Sequence, residues 1–196
     1  MSKKPTFKDT LTRLKELEEL ELVLLTQKQL PYVTKAYEEL MRRYQTQLHS
    51  IALRYLANHA DAEEVVHDVM LKVFIHIKKF EKRSSFKTWI YRLTYNESVD
   101  KIRSLTKHQT LQDQDIETIA AEQKRHFQSS ELKALDEWIK TLPAVDRSIV
   151  VFRVQFELDF KEIAEIVGLN LSTVKMKHIR SLEKLRKSNI KNTFSE

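Results

Sequence analysis

Residues 159–186 read DFKEIAEIVGLNLSTVKMKHIRSLEKLR, and their pattern decides the fold class. Asp159 and Glu162 have the spacing of a capping box, in which two side chains satisfy free backbone N–H groups at a helix start. Phe160, Ile163, Ala164 and Val167 form one apolar side of a short helix, and Ala164 is small enough for a close helix crossing. Gly168, the sole glycine of the chain, follows where a tight turn needs a left-handed residue. Leu169 can plug that turn. Asn170 or Ser172 can cap a second helix, along which Val174, Ser181, Leu182 and Leu185 can face a core. The pattern predicts a helix, a tight turn and a second helix.

Charge concentrates on the second helix. Residues 171–191 hold seven Lys or Arg against one acid, Glu183, an excess equal to the net charge of +6 for the whole chain. A basic second helix is the electrostatic footprint of docking in a DNA major groove. Ser172, Thr173, Lys175, Met176, Ile179 and Arg180 are placed to reach phosphates and base edges, and Lys177 and Lys184 add to the basic side. The competing reading is a helical hairpin with a solvated basic face.

Composition extends the helical reading outward. Of 196 residues, one is glycine and three are proline. Sheets and phosphate loops rely on glycine at positive φ, so the chain is expected to be all-α. Cysteine is absent, which excludes disulfides, cysteine-ligated zinc and thiol catalysis and fits a reducing cytoplasm. No apolar run reaches membrane-spanning length, and the N-terminus MSKKPTFKDT lacks the apolar core of a secretory signal. The seven histidines are scattered, with no HExxH, GxSxG or P-loop. No enzyme, cofactor or metal is expected, and the location is expected to be cytoplasmic, without membrane insertion.

Periodicity predicts further helices. A leucine-rich helix is expected over 7–30, ended by Pro31 or followed by a helix opening there. A long helix from Tyr32 carries Val33, Tyr37, Leu40, Met41, Tyr44, Leu48, Ile51, Ala52 and Tyr55 at three- and four-residue steps. Asp61 is expected to cap the next helix, with Glu64 completing a capping box. That helix carries the stripe Ala62, Val65, Val66, Val69, Met70, Val73, Phe74 and Ile77. Beside it lies a second stripe of Glu64, His67, Asp68, Leu71 and Ile75, which suits docking of a basic partner helix unless Leu71 and Ile75 only widen the core. Lys82–Ser85 is expected as a loop. Residues 86–103 should form a helix with Phe86, Trp89, Ile90, Leu93 and Ile102 largely inward. The weakly patterned, acidic stretch 105–129 is read as a linker. Helices return at 131–141, 144–155, 160–167 and 172–188. The expected organisation is an N-terminal helical extension (1–30) and two small helical domains, 31–104 and 130–190, joined by a flexible linker. The second domain holds the helix-turn-helix.

Three segments of the first unit carry a family resemblance: YEELMRRY (37–44), DAEEVVHDVMLKVFIHIKKF (61–80) and SSFKTWIYRLTYNESVDKIR (84–103). Together they resemble region 2 of extracytoplasmic-function sigma factors of the sigma-70 family, and LPAVDRSIVVFRVQFELDFKEIAEIVGLNLSTVKMKHIRSLEKLR (142–186) resembles their region 4. The resemblance implies core RNA polymerase (β′ clamp helices and β flap), promoter DNA and a regulating anti-sigma factor as partners. It implies clamp binding by the 61–80 helix through Glu64, His67, Asp68, Leu71 and Ile75. It implies −10 capture by Lys82, Arg83, Ser84, Ser85, Phe86, Lys87, Arg92, Tyr95, Asn96 and Arg103, and −35 reading by the second helix of the helix-turn-helix. It also implies that the linker, with Asp113, Asp115, Glu117 and Glu122, runs near the polymerase cleft. Basic residues following the phosphates beside aromatic side chains suit an unpaired strand, and Tyr91 and Tyr95 are the expected exposed aromatics. Four positions depart from the family pattern: Glu157 stands where glycine is frequent, Met176 where a small residue is usual, His178 at an aliphatic position and Ile179 at a polar one. The alternative is a helix-turn-helix regulator that binds DNA without polymerase.

Overall fold

A 22-residue helix, Lys35–Leu56, organises the first half of the chain. Its three- and four-residue apolar steps put Leu40, Met41, Leu48, Ile51 and Ala52 fully inside. The computed structural model describes residues 13–110, 139 and 141–193, and only the backbone of 107–110 and 188–193. The chain divides into two units, Met1–Ile116 and Glu117–Glu196, and the described residues are helical with no strand. The helices are α1 (Glu19–Gln29), α2 (Lys35–Leu56), α3 (His59–His76), α4 (Phe86–Thr110), α5 (Ala144–Val154), α6 (Phe160–Val167) and α7 (Leu171–Thr193), with a 3-10 turn at Ile77–Lys79.

In the first unit α2, α3 and α4 pack against one another and α1 lies on α2. Val65, Val69 and Val73 of α3 and Ile90 of α4 complete the core. The leucine-rich helix expected over 7–30 is interrupted. Residues 13–16 form one turn, the chain breaks at Leu17–Glu18, and α1 starts at Glu19. The Arg43 guanidinium stabilises the break by donating to the carbonyls of Leu14, Lys15 and Leu17 at 2.9, 3.0 and 2.9 Å. These carbonyls lie at the end of a helical turn, where intrahelical donors run out, and that of Leu14 also accepts from the Leu17 N–H at 3.4 Å. Residues 1–12 lie outside the described residues.

Asp61 does not cap α3. The helix starts one turn earlier, where the Asn58 side chain accepts from the backbone N–H of Ala60 (2.8 Å) and Asp61 (3.2 Å). Ala57, in left-handed conformation, separates α2 from this cap. Asp61 is turned toward Lys101 instead, at 3.5 Å. At the far end of α3, Gln27 of α1 donates to the carbonyls of Ile77 (2.8 Å) and Phe80 (2.9 Å). Helix α2 begins at Lys35 rather than Tyr32, leaving Tyr32 and Val33 exposed. Helix α4 runs on to Thr110, so the first six residues assigned to the linker are helical. The rest of the linker and nearly all of the helix expected over 131–141 lie outside the described residues.

In the second unit α5, α6 and α7 pack pairwise around Ile149, Phe152, Leu158, Ile163, Ile166 and Val174. Ile166 rather than Val167 is the buried C-terminal residue of α6, and Leu182 of α7 is exposed rather than inward. No described helix is long and apolar enough to cross a membrane.

Candidate nucleic-acid and partner interfaces

The helix-turn-helix forms as its local signals require. Asp159 accepts from the Glu162 N–H at 2.8 Å, and Glu162 accepts from the Asp159 N–H at 3.0 Å. Gly168 has φ +71, and its N–H and that of Leu169 both reach the Ala164 carbonyl (3.0 and 3.1 Å). Asn170 caps α7, accepting from the Thr173 N–H at 2.8 Å, and the Ser172 hydroxyl donates to the same oxygen at 2.7 Å. Arg153 ties the turn before α6 to its neighbours. It donates to the Leu158 carbonyl at 2.8 Å and lies 5.0 Å from the Phe160 ring centroid. His178 meets the same ring edge-on at 5.1 Å. Burial, then the nearby Arg153 charge, lowers the His178 pKa below its usual value and favours a neutral ring. Glu157 sits in this turn at φ 54, which explains why glycine suits that position.

Along α7, Val174 and Ser181 face the core. Ser172, Lys175, Met176, Ile179, Arg180 and Lys184 are exposed and Thr173 is half-buried. Lys177 departs from the expectation. It lies toward the core side and its ammonium pairs with Asp146 of α5 at 2.6 Å, so its charge joins α7 to α5 instead of lying on the outward face. Helical periodicity explains this: Lys177 is three residues from Val174 and four from Ser181.

In the first unit the second stripe of α3 faces outward as a set. Glu64, His67, Asp68, Leu71 and Ile75 are all exposed, with Leu71 at 51% and Ile75 at 57%. The latter two therefore do not widen the core. Sequence reasoning missed that Glu64 binds Lys101 of α4 at 2.7 Å. The partners are 37 residues apart, beyond any local pattern.

The loop before α4 and the start of that helix bring the other candidates together. Lys82 is exposed at φ 59, and Arg83 is exposed and pairs with Glu81 at 2.7 Å. Ser84 is half-buried, and the Ser85 hydroxyl caps α4 by accepting from the Thr88 N–H at 3.0 Å. Arg92 and Asn96 are exposed one helical turn apart. Tyr95 is half-buried against Tyr55, edge-on at 5.5 Å. The Lys87 ammonium lies 5.8 Å from the Tyr91 ring centroid, and Arg103 pairs with Asp100 at 3.0 Å.

Tyr91 is a correction, and Phe86, inward as its helical position predicted, is withdrawn from the −10 contacts. Phe86 is buried, edge-on to Tyr44 (5.4 Å) and Phe80 (5.7 Å). Its ring supports the loop from beneath and offers no surface to a base. Tyr91 is buried too, 6.3 Å from Tyr44, and burial pushes its phenol up to about 12. Trp89 is half-buried at the edge of this cluster, 5.2 Å from Phe80. Ile102 is exposed, not inward.

Comparison with known proteins finds a match in each unit. The family model for Sigma-70 region 2 matches residues 40–108, and that for Sigma-70, region 4 matches residues 132–185. The RNA polymerase sigma factor SigV of Bacillus subtilis is 29% identical over 137 residues, covering 69% of this chain and 80% of SigV. The ECF RNA polymerase sigma factor SigW of Bacillus subtilis is 26% identical over 167 residues, covering 78% and 88%. The sigma factor RpoE of Bartonella quintana, solved in complex with the anti-sigma factor NepR, shares the fold with a TM-score of 0.67 at 21% identity over 79% of this chain and 96% of that one. With both family regions in order and together spanning over half of its length, the chain belongs to the sigma-70 family, among the RNA polymerase sigma factors of the extracytoplasmic-function type.

Proposed function

We propose that this protein binds core RNA polymerase through the outward strip of α3 and directs it to promoters, capturing the −10 element with the first unit and reading the −35 element with α7. The observation that carries the docking role is the joint exposure of Glu64, Asp68, Leu71 and Ile75 on one face. Carboxylates beside unpartnered apolar side chains fit a basic helix such as those of the polymerase clamp. The −10 role falls to Lys82, Arg83, Ser84, Ser85, Lys87, Arg92, Tyr95, Asn96 and Arg103, whose cations can follow phosphates while polar groups meet a flipped base. The buried Phe86 ring holds that loop in place. The −35 role falls to Ser172, Thr173, Lys175, Met176, Ile179, Arg180 and Lys184. The β flap, an anti-sigma factor and a cytoplasmic setting complete the reading.

Run-off transcription with purified core polymerase on a genomic promoter library is the test. Promoter-specific transcripts that need this protein are expected, as is weak binding of promoter duplex without core. Tight, sequence-specific duplex binding by the protein alone, with no effect on core, would replace this reading with that of a free-standing regulator. Asp68→Lys is expected to weaken core binding without loss of helicity. Asp68 is the cleaner site for charge reversal, because reversing Glu64 also releases Lys101.

A further inference from the structure

With about 3.6 residues per turn, Val174 and Ser181 fix the inward side of α7, and the residues opposite them are Ser172, Met176, Ile179 and, one turn further on, the exposed Glu183. Met176 is 48% exposed and Ile179 49%. Lys175 and Arg180, both exposed, flank this pair on either side, and Lys184, Arg186 and Lys187 extend the basic border. The N-terminal part of this face thus carries an apolar pair between basic borders, ahead of Glu183. Such a pair is poorly explained by solubility, and Gly168 and Asn170 fix the start of the helix that carries it.

We propose that Met176 and Ile179 read thymine 5-methyl groups in the −35 duplex, while Lys175 and Arg180 hold the flanking backbone. The proposal rests on α7 being the −35 reader and names what its centre recognises. The methyl is the only apolar feature a base pair presents in the major groove, and it identifies thymine. Spacing agrees. Three residues advance the helix by about 4.5 Å, near the rise of about 3.4 Å per base pair, so the two side chains meet neighbouring steps. A second copy of this chain is a poor occupant, because the basic borders would repel each other.

The test uses holoenzyme reconstituted from core and the full chain. The −35 element is first selected from a randomised library, and each thymine in it is then replaced by deoxyuridine, which removes only the methyl. At least one replacement should weaken wild-type binding about fourfold, the expectation for one buried methyl. Met176→Ala or Ile179→Ala should bind the thymine and uracil forms of its own site equally. Lys175→Ala and Arg180→Ala should weaken binding yet keep the full thymine-to-uracil ratio. Wild-type holoenzyme that binds every uracil form as tightly as the thymine form overturns the proposal, even where Arg180→Ala shows that α7 contacts the element. If scrambling the whole element and changing Arg180 both leave binding unaltered, the −35 role of α7 itself is wrong. Both apolar positions are half-exposed, so unchanged thermal melts are expected for the alanine variants.

Discussion

Removing Leu71 and Ile75 together tests the docking face at its most quantitative point. About half of each side chain is exposed in the free protein, and only that half is left for a partner to cover. Full burial of a Leu or Ile side chain is worth about 1.5–3 kcal/mol, so the half still exposed offers about 0.7–1.5 kcal/mol per residue. The double change Leu71→Ala/Ile75→Ala should therefore weaken core binding by about 1.5–3 kcal/mol, or about tenfold to a hundredfold in Kd. Titration of fluorescently labelled protein with core polymerase measures this, with helicity and melting followed alongside. Leu20 on α1 supplies the control. It is 54% exposed but lies off the strip, so Leu20→Ala should leave core affinity unaltered. Wild-type affinity in a folded double variant, or an equal loss from Leu20→Ala, would refute the assignment of this face.

Three further outcomes follow from the geometry. Glu157 holds a left-handed backbone at φ 54, which costs a residue with a Cβ about 1–2 kcal/mol. Glycine loses part of that advantage to unfolded-chain entropy, so Glu157→Gly should stabilise the chain by about 0.5–1 kcal/mol in chemical denaturation. Asn58→Ala should cost about 1 kcal/mol as a lost N-cap. Asp61→Ala should cost less, since it loses only a long surface ion pair, and the reverse order would restore Asp61 as the cap. Because the folded-state pKa of His178 is lowered, the folded protein favours the neutral ring. Its contribution is present above the unfolded value, near 6.5, and is lost as pH falls below it. Melts from pH 7.5 to 5.5 should therefore drop more for wild type than for His178→Leu; parallel curves would remove His178 from the account.

The aromatic cluster and the helix-turn-helix show how differently two parts of one sequence can be read. The α6–α7 turn is encoded within the twelve residues from Asp159 to Asn170. A capping box, a small residue, a left-handed glycine and an Asn cap each act over four positions or fewer, so no distant contact is needed to foresee them. The α3 stripe is legible in part: the helical period places Leu71 and Ile75 beside the inner valines, and packing decides that they stay exposed. Glu157 is an intermediate case. Its sequence position stands out only by comparison with a family pattern, and the left-handed φ supplies the reason.

What the sequence determined by itself was therefore the all-helical class and the two-unit organisation, with the second stripe of α3 placed but its exposure left open. The tertiary structure decided which side chains near those faces are free. Tyr91, expected to be exposed, turns inward and packs edge-on against Tyr44 of another helix. Lys177 is neutralised by Asp146, 31 residues away, and Lys101 by Glu64 across α3 and α4. Asn58 displaces Asp61 as the cap, and Asp61 is left turned toward Lys101. Helix period and capping are short-range and repeat along the chain, whereas a side chain's partner depends on which helices become neighbours, and only packing fixes that.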